Sequence, residues 1–228
     1  MAGVRGRPTA VLNVETLAHV AVIARRGAVA FRAAGTPEEP GTMLVTLSGA
    51  VAAPGVREVA LATPLPQVLG QYGGLTRPVL VGGFHGAWLG PSEVAGARLS
   101  RASLARFDAA PGAGVLFVLP AGRCGLVETA RIAGYLSGQG ARQCGPCRNG
   151  LPHLAGAIDA LAHRRRDPGL PAEITRVAGL VEGRGACHHP DGTARLVRSA
   201  LRVFAADVAA HLDGHCLADR DRGAGRDR

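Results

Sequence analysis

Three cysteines and two histidines are the residues of this sequence whose types and spacing point to chemistry. Cys144 and Cys147 form a Cys-Gly-Pro-Cys motif, and Cys187 stands directly before His188 and His189. Thiolates bind soft or borderline metal ions and iron–sulfur clusters, and imidazole is a further ligand for iron and zinc. The residue types therefore predict a metal or cluster site, if the fold brings the two segments together.

Two other interpretations of the cysteines are open. Free cysteine is a common core residue, so the thiols can be inert packing. Cys-Gly-Pro-Cys is also the motif of thioredoxin-like dithiols, which follows a strand in a βαβ pattern. Here a predicted helix precedes the motif, and Gln143 replaces the usual tryptophan before the first cysteine. The surroundings favour a metal or cluster over thiol–disulfide exchange.

Four amphipathic helices are predicted around these cysteines, because apolar residues recur at helical spacing. The first spans residues 125–137. The apolar face of the second is Leu151, Leu154, Ala155, Ile158, Leu161 and Ala162, and that of the third is Ile174, Val177, Ala178 and Val181. The face of the fourth is Val197, Ala200, Leu201, Phe204, Val208 and Leu212. Short loops favour an antiparallel bundle. The Cys-Gly-Pro-Cys loop and the Cys187 loop then lie at the same end of it.

The preceding segment has the pattern of a small mixed module. Its predicted elements are a strand at 43–51, a turn at 53–55, a strand at 56–61, a helix at 64–72, and strands at 78–81 and 115–119. A hairpin followed by a helix and further strands outlines a β-grasp-like module. A helix is also predicted within residues 9–33, ahead of a break rich in glycine and proline at 35–41.

Composition narrows the class of protein. All 26 basic residues are arginine and the formal net charge is +9. The arginines are scattered and aromatic residues do not interleave with them, so no nucleic-acid partner is expected. No apolar run approaches the ~20 residues of a membrane span, and no secretory signal is visible. We therefore expect a cytoplasmic protein with reduced thiols.

Five segments carry a family resemblance. They are Arg7–Thr16 with Asn-Val-Glu-Thr at its end, Gly41–Gly55 with Ser48-Gly49-Ala50-Val51, Gly82-Gly83 near Trp88, Gly112-Ala113-Gly114, and Cys144–Gly150 with Cys187. Together they resemble the C-terminal half of the NADH-binding flavoprotein subunit of respiratory complex I. They are equally similar to the diaphorase subunits of NAD-linked formate dehydrogenases and hydrogenases. The resemblance covers about residues 5–213.

The resemblance implies an α+β fold, a small β-grasp-like domain followed by a four-helix bundle. Residues 1–33 are expected to be a helical leader, a remnant of the junction with a flavin domain. Residues 34–120 are expected to form the soluble-ligand-binding β-grasp domain, and residues 121–216 the iron–sulfur-binding bundle. The polar composition of residues 217–228 predicts a disordered tail.

The family's cluster motif has four cysteines, and one is missing here. Its positions match Cys144, Cys147, Cys187 and position 141, which is Ala141 in this sequence. Iron–sulfur clusters are normally held by four thiolates, although histidine ligates iron in Rieske centres. The resemblance thus implies a 4Fe-4S or 3Fe-4S cluster; a site that stays vacant is also open.

The fourth ligand is predicted to be histidine. His188 is the candidate, with His189 as its alternative, and the same set equally suits a structural Cys₃His zinc site. Cys124 and Cys216 are expected to lie away from the site. Cys124 is separated from it by a helix that spans ~25 Å at 1.5 Å per residue.

The family's glycine-rich FMN and NADH loops have no counterpart, since no Gly-x-Gly-x-x-Gly loop follows a predicted strand. FMN and NAD are therefore not expected on this chain alone, nor is NADH oxidation by it. Asn13 and Glu15 match residues that approach the flavin in the family; capping the first helix is their alternative role. The start at Met1 is interpreted as a truncated gene, a mis-called start or a split subunit.

The sequence supports two alternative hypotheses for the function of the chain. The first is an iron–sulfur electron-transfer module that passes electrons from a flavin to a redox partner subunit. A separate flavin/NADH-binding chain is then a candidate partner, in an assembly peripheral to a membrane complex, and Arg142 and Arg148 lie beside the cluster. The second is a non-catalytic interaction module with a structural zinc site or no metal. His85 and Trp88 are then contact candidates, with a core role as the alternative for Trp88.

Overall fold

The computed structural model describes residues 3–70 and 76–219, which form a mixed α+β fold. The strands are β1 (Thr42–Gly49), β2 (Gly55–Ala60), β3 (Val79–Val81), β4 (Ala87–Leu89) and β5 (Val115–Val118). The helices are α1 (Val14–Arg32), α2 (Leu65–Val68), α3 (Pro91–Ala95), α4 (Arg101–Ala105), α5 (Gly125–Gly138), α6 (Leu151–Ala162), α7 (Leu170–Val181), α8 (His189–Val203) and α9 (Ala205–Leu212). A 3₁₀ turn (Val4–Gly6) and a π-helix (Pro146–Gly150) complete them.

The sheet has the strand order β2-β1-β5-β3-β4. β1 pairs antiparallel with β2 and parallel with β5, and β3 pairs antiparallel with both β5 and β4. The strands predicted from the sequence are present. β4 was not predicted, because three buried residues after a glycine turn carry too short a pattern to be recognised.

Strand alternation divides the core into two clusters, because successive side chains point to opposite faces. Val79 and Val81 of β3 face a cluster that includes residues of α2, α3 and α4. Leu80 and Trp88 face the opposite cluster, which contains the buried residues of α5 to α8. The sheet is therefore covered on one side by short helices and on the other by the long helices that carry the cysteines.

The predicted fourth long helix is divided into α8 and α9. The break lies at Phe204, whose ψ of 31° is outside the helical range. Its ring lies over Gly125 at the start of α5, where an added Cβ would overlap the ring. The prediction of one continuous helix was wrong, because the backbone leaves helical geometry at Phe204, where the ring packs on Gly125.

Helix α1 contains no buried residue within the described chain. Its apolar residues at helical spacing stay accessible, and Leu17 and Val20 are each about half exposed. Gly27 interrupts the helix with a φ of 81°, a backbone conformation that glycine adopts without strain. The predicted helix is thus present, but nothing in the described residues covers its apolar side.

The predicted disordered tail begins with ordered residues. Residues 217–219 are helical, and Ala218 is buried in the core of the helical part. The disorder predicted from composition therefore does not apply to these three residues. Residues 220–228, and residues 71 and 72 of the predicted helix at 64–72, lie outside the described residues. None of the described helices is both long and apolar enough to cross a membrane.

Candidate functional site

The Cys-Gly-Pro-Cys motif lies where α5 ends and α6 begins. Its second cysteine belongs to the π-helix Pro146–Gly150, which runs directly into α6. Proline lacks an N–H and suits the first turn of a helix, and π-helical turns are frequent at functional sites. Cys147 is 4% exposed, and its Sγ accepts a hydrogen bond from the backbone N–H of Arg142 at 3.2 Å.

Cys144 joins the two cysteine-bearing loops. Its pKa is lowered, first by the backbone N–H of Ala186 and then by that of Cys147, because both N–H groups stabilise the thiolate. Ala186 precedes Cys187 in the chain. The structure therefore brings the loop before α6 next to the loop before α8, as the antiparallel arrangement predicts.

Cys187 is exposed in the segment between α7 and α8. Asp191 in the first turn of α8 contacts this segment both before and after Cys187, at Gly183 and at His188. Its carboxylate accepts from the backbone N–H of Gly183 at 2.8 Å and lies 2.9 Å from His188 Nδ1. These two contacts lower the pKa of Asp191, the His188 contact being the larger cause.

The two histidines differ in their surroundings. The His188 side chain is fully exposed, with Nδ1 committed to Asp191. The His189 Nε2–H donates to the carbonyl oxygen of Leu136 at 2.9 Å, and its ring packs edge-on against His85 with centroids 4.9 Å apart. A Cβ placed on Gly140 would be 2.5 Å from Cys147 Sγ and 3.8 Å from His189 Nε2. His189 therefore lies on the Cys147 side of the site.

The three thiols fit a thiolate-bound cluster. Backbone N–H groups point at two of the sulfurs, and such hydrogen bonds are one means by which proteins set cluster potentials. Within the described residues these cysteines and histidines are not among the ligand groups found within 4.8 Å of one another. Ala141 is exposed and offers no ligand atom.

Asn13 and Glu15 have structural partners in the described chain. Asn13 is the N-cap of α1, its Oδ1 accepting from the backbone N–H of Thr16 at 2.8 Å. Glu15 accepts from the backbone N–H of Leu44 in β1 at 2.6 Å, which ties α1 to the sheet. Capping is thus confirmed for Asn13, while contact of either residue with a flavin stays a prediction.

Trp88 occupies the core between the sheet and the helices. Its side chain is fully buried, and its ring packs edge-on against Phe117 and Phe204. The indole N–H donates to Thr129 Oγ1 at 2.9 Å. Its core role is confirmed. His85 lies in the turn before β4, where it contacts His189.

Sequence reasoning missed a second group of ligand-type side chains. Cys124 precedes α5, His211 lies in the last turn of α9 and Cys216 follows α9; all three are buried and their ligand atoms lie within 4.8 Å of one another. Burial raises the pKa of Cys124 to about 12, and the neighbouring Cys216 adds to this effect. The two cysteines do lie at the far end of α5 from Cys144, as expected.

The thiols are expected to react in a defined order with a disulfide reagent in the reduced, metal-free chain at pH 8. Cys187 is exposed and should be modified first. Cys124 should react at least about 100-fold more slowly, because only the thiolate attacks and its high pKa keeps the thiol protonated. Mass spectrometry of labelled peptides over time measures both rates. Equal rates in the folded chain would contradict the described burial.

Comparison with known proteins finds a match to an iron–sulfur binding region in the helical part of the chain. Residues 128–211 match the family described as the NADH-ubiquinone oxidoreductase-F iron-sulfur binding region. The chain is 27% identical over 219 residues to a subunit of the NADH-quinone oxidoreductase of Rhizobium meliloti (strain 1021), covering 93% of this chain and 52% of that protein.

Two further matches agree. The mitochondrial NADH dehydrogenase [ubiquinone] flavoprotein 1 of Dictyostelium discoideum is 27% identical over 215 residues, with 91% of this chain and 45% of that protein covered. An NAD⁺-reducing [NiFe]-hydrogenase in its air-oxidized state superimposes with a TM-score of 0.80 at 27% identity, covering 99% of this chain and 40% of that one. The chain spans about half the length of the NADH-quinone oxidoreductase relatives. The resemblance to the C-terminal half of the NADH-binding flavoprotein subunits is confirmed.

Proposed function

We propose that this chain is an electron-transfer module in which an iron–sulfur cluster is held between the loop before α6 and the loop before α8. The observation that carries the proposal is that the two loops meet, since the backbone N–H of Ala186 in the loop before α8 lies against Cys144 in the loop before α6. The match of residues 128–211 to an iron–sulfur binding region supports it. A bound cluster would supply one-electron oxidation and reduction.

We assign Cys144, Cys147 and Cys187 as thiolate ligands of this cluster. For the fourth ligand, His188 Nε2 has no hydrogen-bond partner among residues 3–70 and 76–219, and its side chain is fully exposed on the Cys187 loop. His189 keeps Nδ1 for a metal, but its Nε2–H already donates to Leu136. These contacts favour His188, because its ring can turn toward Cys187 after releasing one surface hydrogen bond.

Several features support the proposed division of the chain. A hairpin beside a central parallel pair of strands supports a β-grasp domain at 34–120. The neighbouring pairs α5 with α6, α6 with α7 and α7 with α8 support a four-helix bundle at 121–216, in which α9 extends the fourth helix beyond its break. Residues 1–33, with α1, are then a separate leader.

The partner is proposed to be a separate chain that carries the flavin and NADH sites. The uncovered apolar side of α1 supports a protein contact there, with Val14 81% and Val29 86% exposed. Asn13 and Glu15, at the start of the same helix, would then face the flavin. The exposed Arg142 and Arg148 flank the cysteine loop and would favour an acidic redox partner.

The cytoplasm is the proposed compartment, because all five cysteines are free thiols in the structure. Relatives named as parts of NADH-quinone oxidoreductase and of a hydrogenase support assembly with other chains, peripheral to a membrane complex.

Iron and acid-labile sulfide content after anaerobic expression or reconstitution tests the cluster. The chain is expected to hold iron and sulfide in near-equal amounts, with an EPR signal after reduction or oxidation. Cys144→Ser and Cys147→Ser should each lose at least about nine-tenths of the iron, because a cluster with two remaining thiolates has too few strong ligands.

Cys124→Ala is the matched control, because it removes a buried thiol at the opposite end of α5. This variant should keep the iron and sulfide of the parent chain. Zinc without sulfide, abolished by the same two serine variants, would establish the alternative function, an interaction module with a structural zinc site. Iron content that is unchanged in Cys144→Ser and Cys147→Ser would overturn the assignment of the ligands.

A further inference from the structure

The buried group at the far end of α5 has the composition of a metal site. Its members are two thiols and an imidazole, supplied by Cys124, Cys216 and His211. Cys124 is 87 positions from His211, and it meets the neighbouring His211 and Cys216 because the end of α9 packs beside the start of α5. None belongs to the loops assigned to the cluster. Soft and borderline cations such as Zn²⁺ are the ions that prefer this donor set.

The separations in the group agree with those around zinc. A tetrahedral ion with Zn–S of ~2.3 Å and Zn–N of ~2.05 Å sets sulfur and nitrogen about 3.6 Å apart, and two sulfurs about 3.8 Å apart. Cys124 Sγ lies 3.5 Å from His211 Nε2 in the structure. All three ligand atoms lie within 4.8 Å of one another. A shift of no more than about 1 Å therefore converts the group into a coordination sphere.

The imidazole is already oriented for coordination. His211 is fully buried, and its Nδ1 lies 3.0 Å from the carbonyl oxygen of Leu161. A carbonyl oxygen can only accept, so Nδ1 carries the proton and Nε2 presents its lone pair to the sulfurs. Metal-binding histidines commonly donate their second N–H to a carbonyl in this way, which fixes tautomer and ring position.

Charge and access are also suitable. Two thiolates neutralise a divalent cation, so the occupied site would bury no net charge. A cleft of about 290 Å³ is lined by neighbours of both cysteines in the chain, Arg123, Gly125 and Leu217, together with Asp207. A water that enters from this side would supply the fourth ligand. Three protein ligands and one exchangeable position make a complete zinc sphere.

We infer that Cys124, His211 and Cys216 form a second, mononuclear site that binds Zn²⁺ or a similar thiophilic divalent cation, separate from the cluster at Cys144. Binding releases the two thiol protons as the two Zn–S bonds form, so no oxidant or reductant is involved. The ion would join the first and last helices of the helical part of the chain.

Cobalt and zinc binding to the full chain test the site. In a chain with Cys144, Cys147 and Cys187 changed to serine, one Co²⁺ per chain is expected, with sulfur-to-cobalt charge-transfer and tetrahedral d–d absorption. Adding Cys124→Ser or His211→Asn should abolish both signals. A folded triple-serine chain that binds no Co²⁺ or Zn²⁺, or whose signals survive both changes, would overturn the inference.

A labelling experiment on the unaltered chain tests the same site without any variant. Zn²⁺ at 100 times its dissociation constant should slow alkylation of Cys124 and Cys216 about 100-fold in mild denaturant, because alkylation then requires release of the ion. Rates that are the same with and without zinc, or a disulfide between the two cysteines in the isolated protein, would overturn the inference. The iron content of Cys144 variants reports on the cluster independently.

Discussion

Trp88→Ala is expected to lower the free energy of unfolding by about 3–5 kcal/mol, the cost of removing a large buried aromatic side chain without collapse of the cavity. Trp88 is fully buried between the sheet and the helices, and it contacts rings from both sides. Its backbone N–H also donates to Ser199 of α8 at 2.9 Å. The residue therefore holds the two halves of the molecule together.

Urea unfolding followed by far-UV circular dichroism measures this effect, since the change removes the single tryptophan of the chain. Phe84→Ala is the matched control, because Phe84 is an exposed aromatic residue near the same turn and should cost less than about 1 kcal/mol. A Trp88→Ala chain within 1 kcal/mol of the parent would contradict the described packing.

Trp88→Phe separates packing from hydrogen bonding. The smaller ring keeps much of the aromatic contact but loses the indole N–H that donates to Thr129. Thr129 is not left unpaired, because its hydroxyl donates to the carbonyl oxygen of Gly125 at 2.7 Å. The hydrogen bond itself should therefore account for only about 1 kcal/mol of the loss.

Ala141→Cys is expected to make the cluster at least about ten times more resistant to removal by an iron chelator. The change places a thiol at the position where the resembled family has its fourth cysteine. A missing or misplaced partner at a metal site commonly costs ~10–100-fold in affinity, and a direct thiolate ligand should contribute at least as much. Iron content should rise toward four per chain if the parent holds a three-iron cluster.

The measurement is the rate of iron loss to a chelator, together with iron and sulfide analysis of the same sample. Gln143→Cys is the control, because it adds an exposed thiol to the same loop at a position that no ligand occupies in the family. Equal rates for Ala141→Cys and the parent chain would mean that the fourth ligand is already complete, and His188→Ala should then accelerate iron loss.

Much of the fold can be predicted from the sequence, because many of its helices and strands follow simple periodic patterns. The hairpin of β1 and β2 and the helices α5, α6 and α7 have repeats that are long enough to define them. α3, α4 and β4 are three to five residues long, and they are shaped by contacts distant in sequence rather than by their own pattern. The break lies at Phe204, whose ring packs on Gly125, a residue distant in sequence.

The candidate site also has a part that the sequence predicts and a part that it does not. The meeting of the Cys144 loop and the Cys187 loop follows from short connections in an antiparallel set of helices, so it is predictable. The orientation of His188 and His189 is not, because it depends on partners such as Asp191 and the Leu136 carbonyl. The approach of His211 to Cys124 is a contact across 87 positions, and no local pattern encodes it.

The parallel pairing of β1 with β5 has a consequence for the order in which the chain folds. Thr46 of β1 pairs with Val115 of β5, so the centre of the sheet closes a segment of almost seventy residues. The hairpin of β1 and β2 can form as soon as both strands have left the ribosome, yet an isolated hairpin is marginally stable in water. Its edge stays unpaired until β5 emerges, and long-range pairing of this kind is slow. During synthesis there is thus a stage in which the hairpin edge is open to pairing with another chain. This stage ends when β5 pairs with β1.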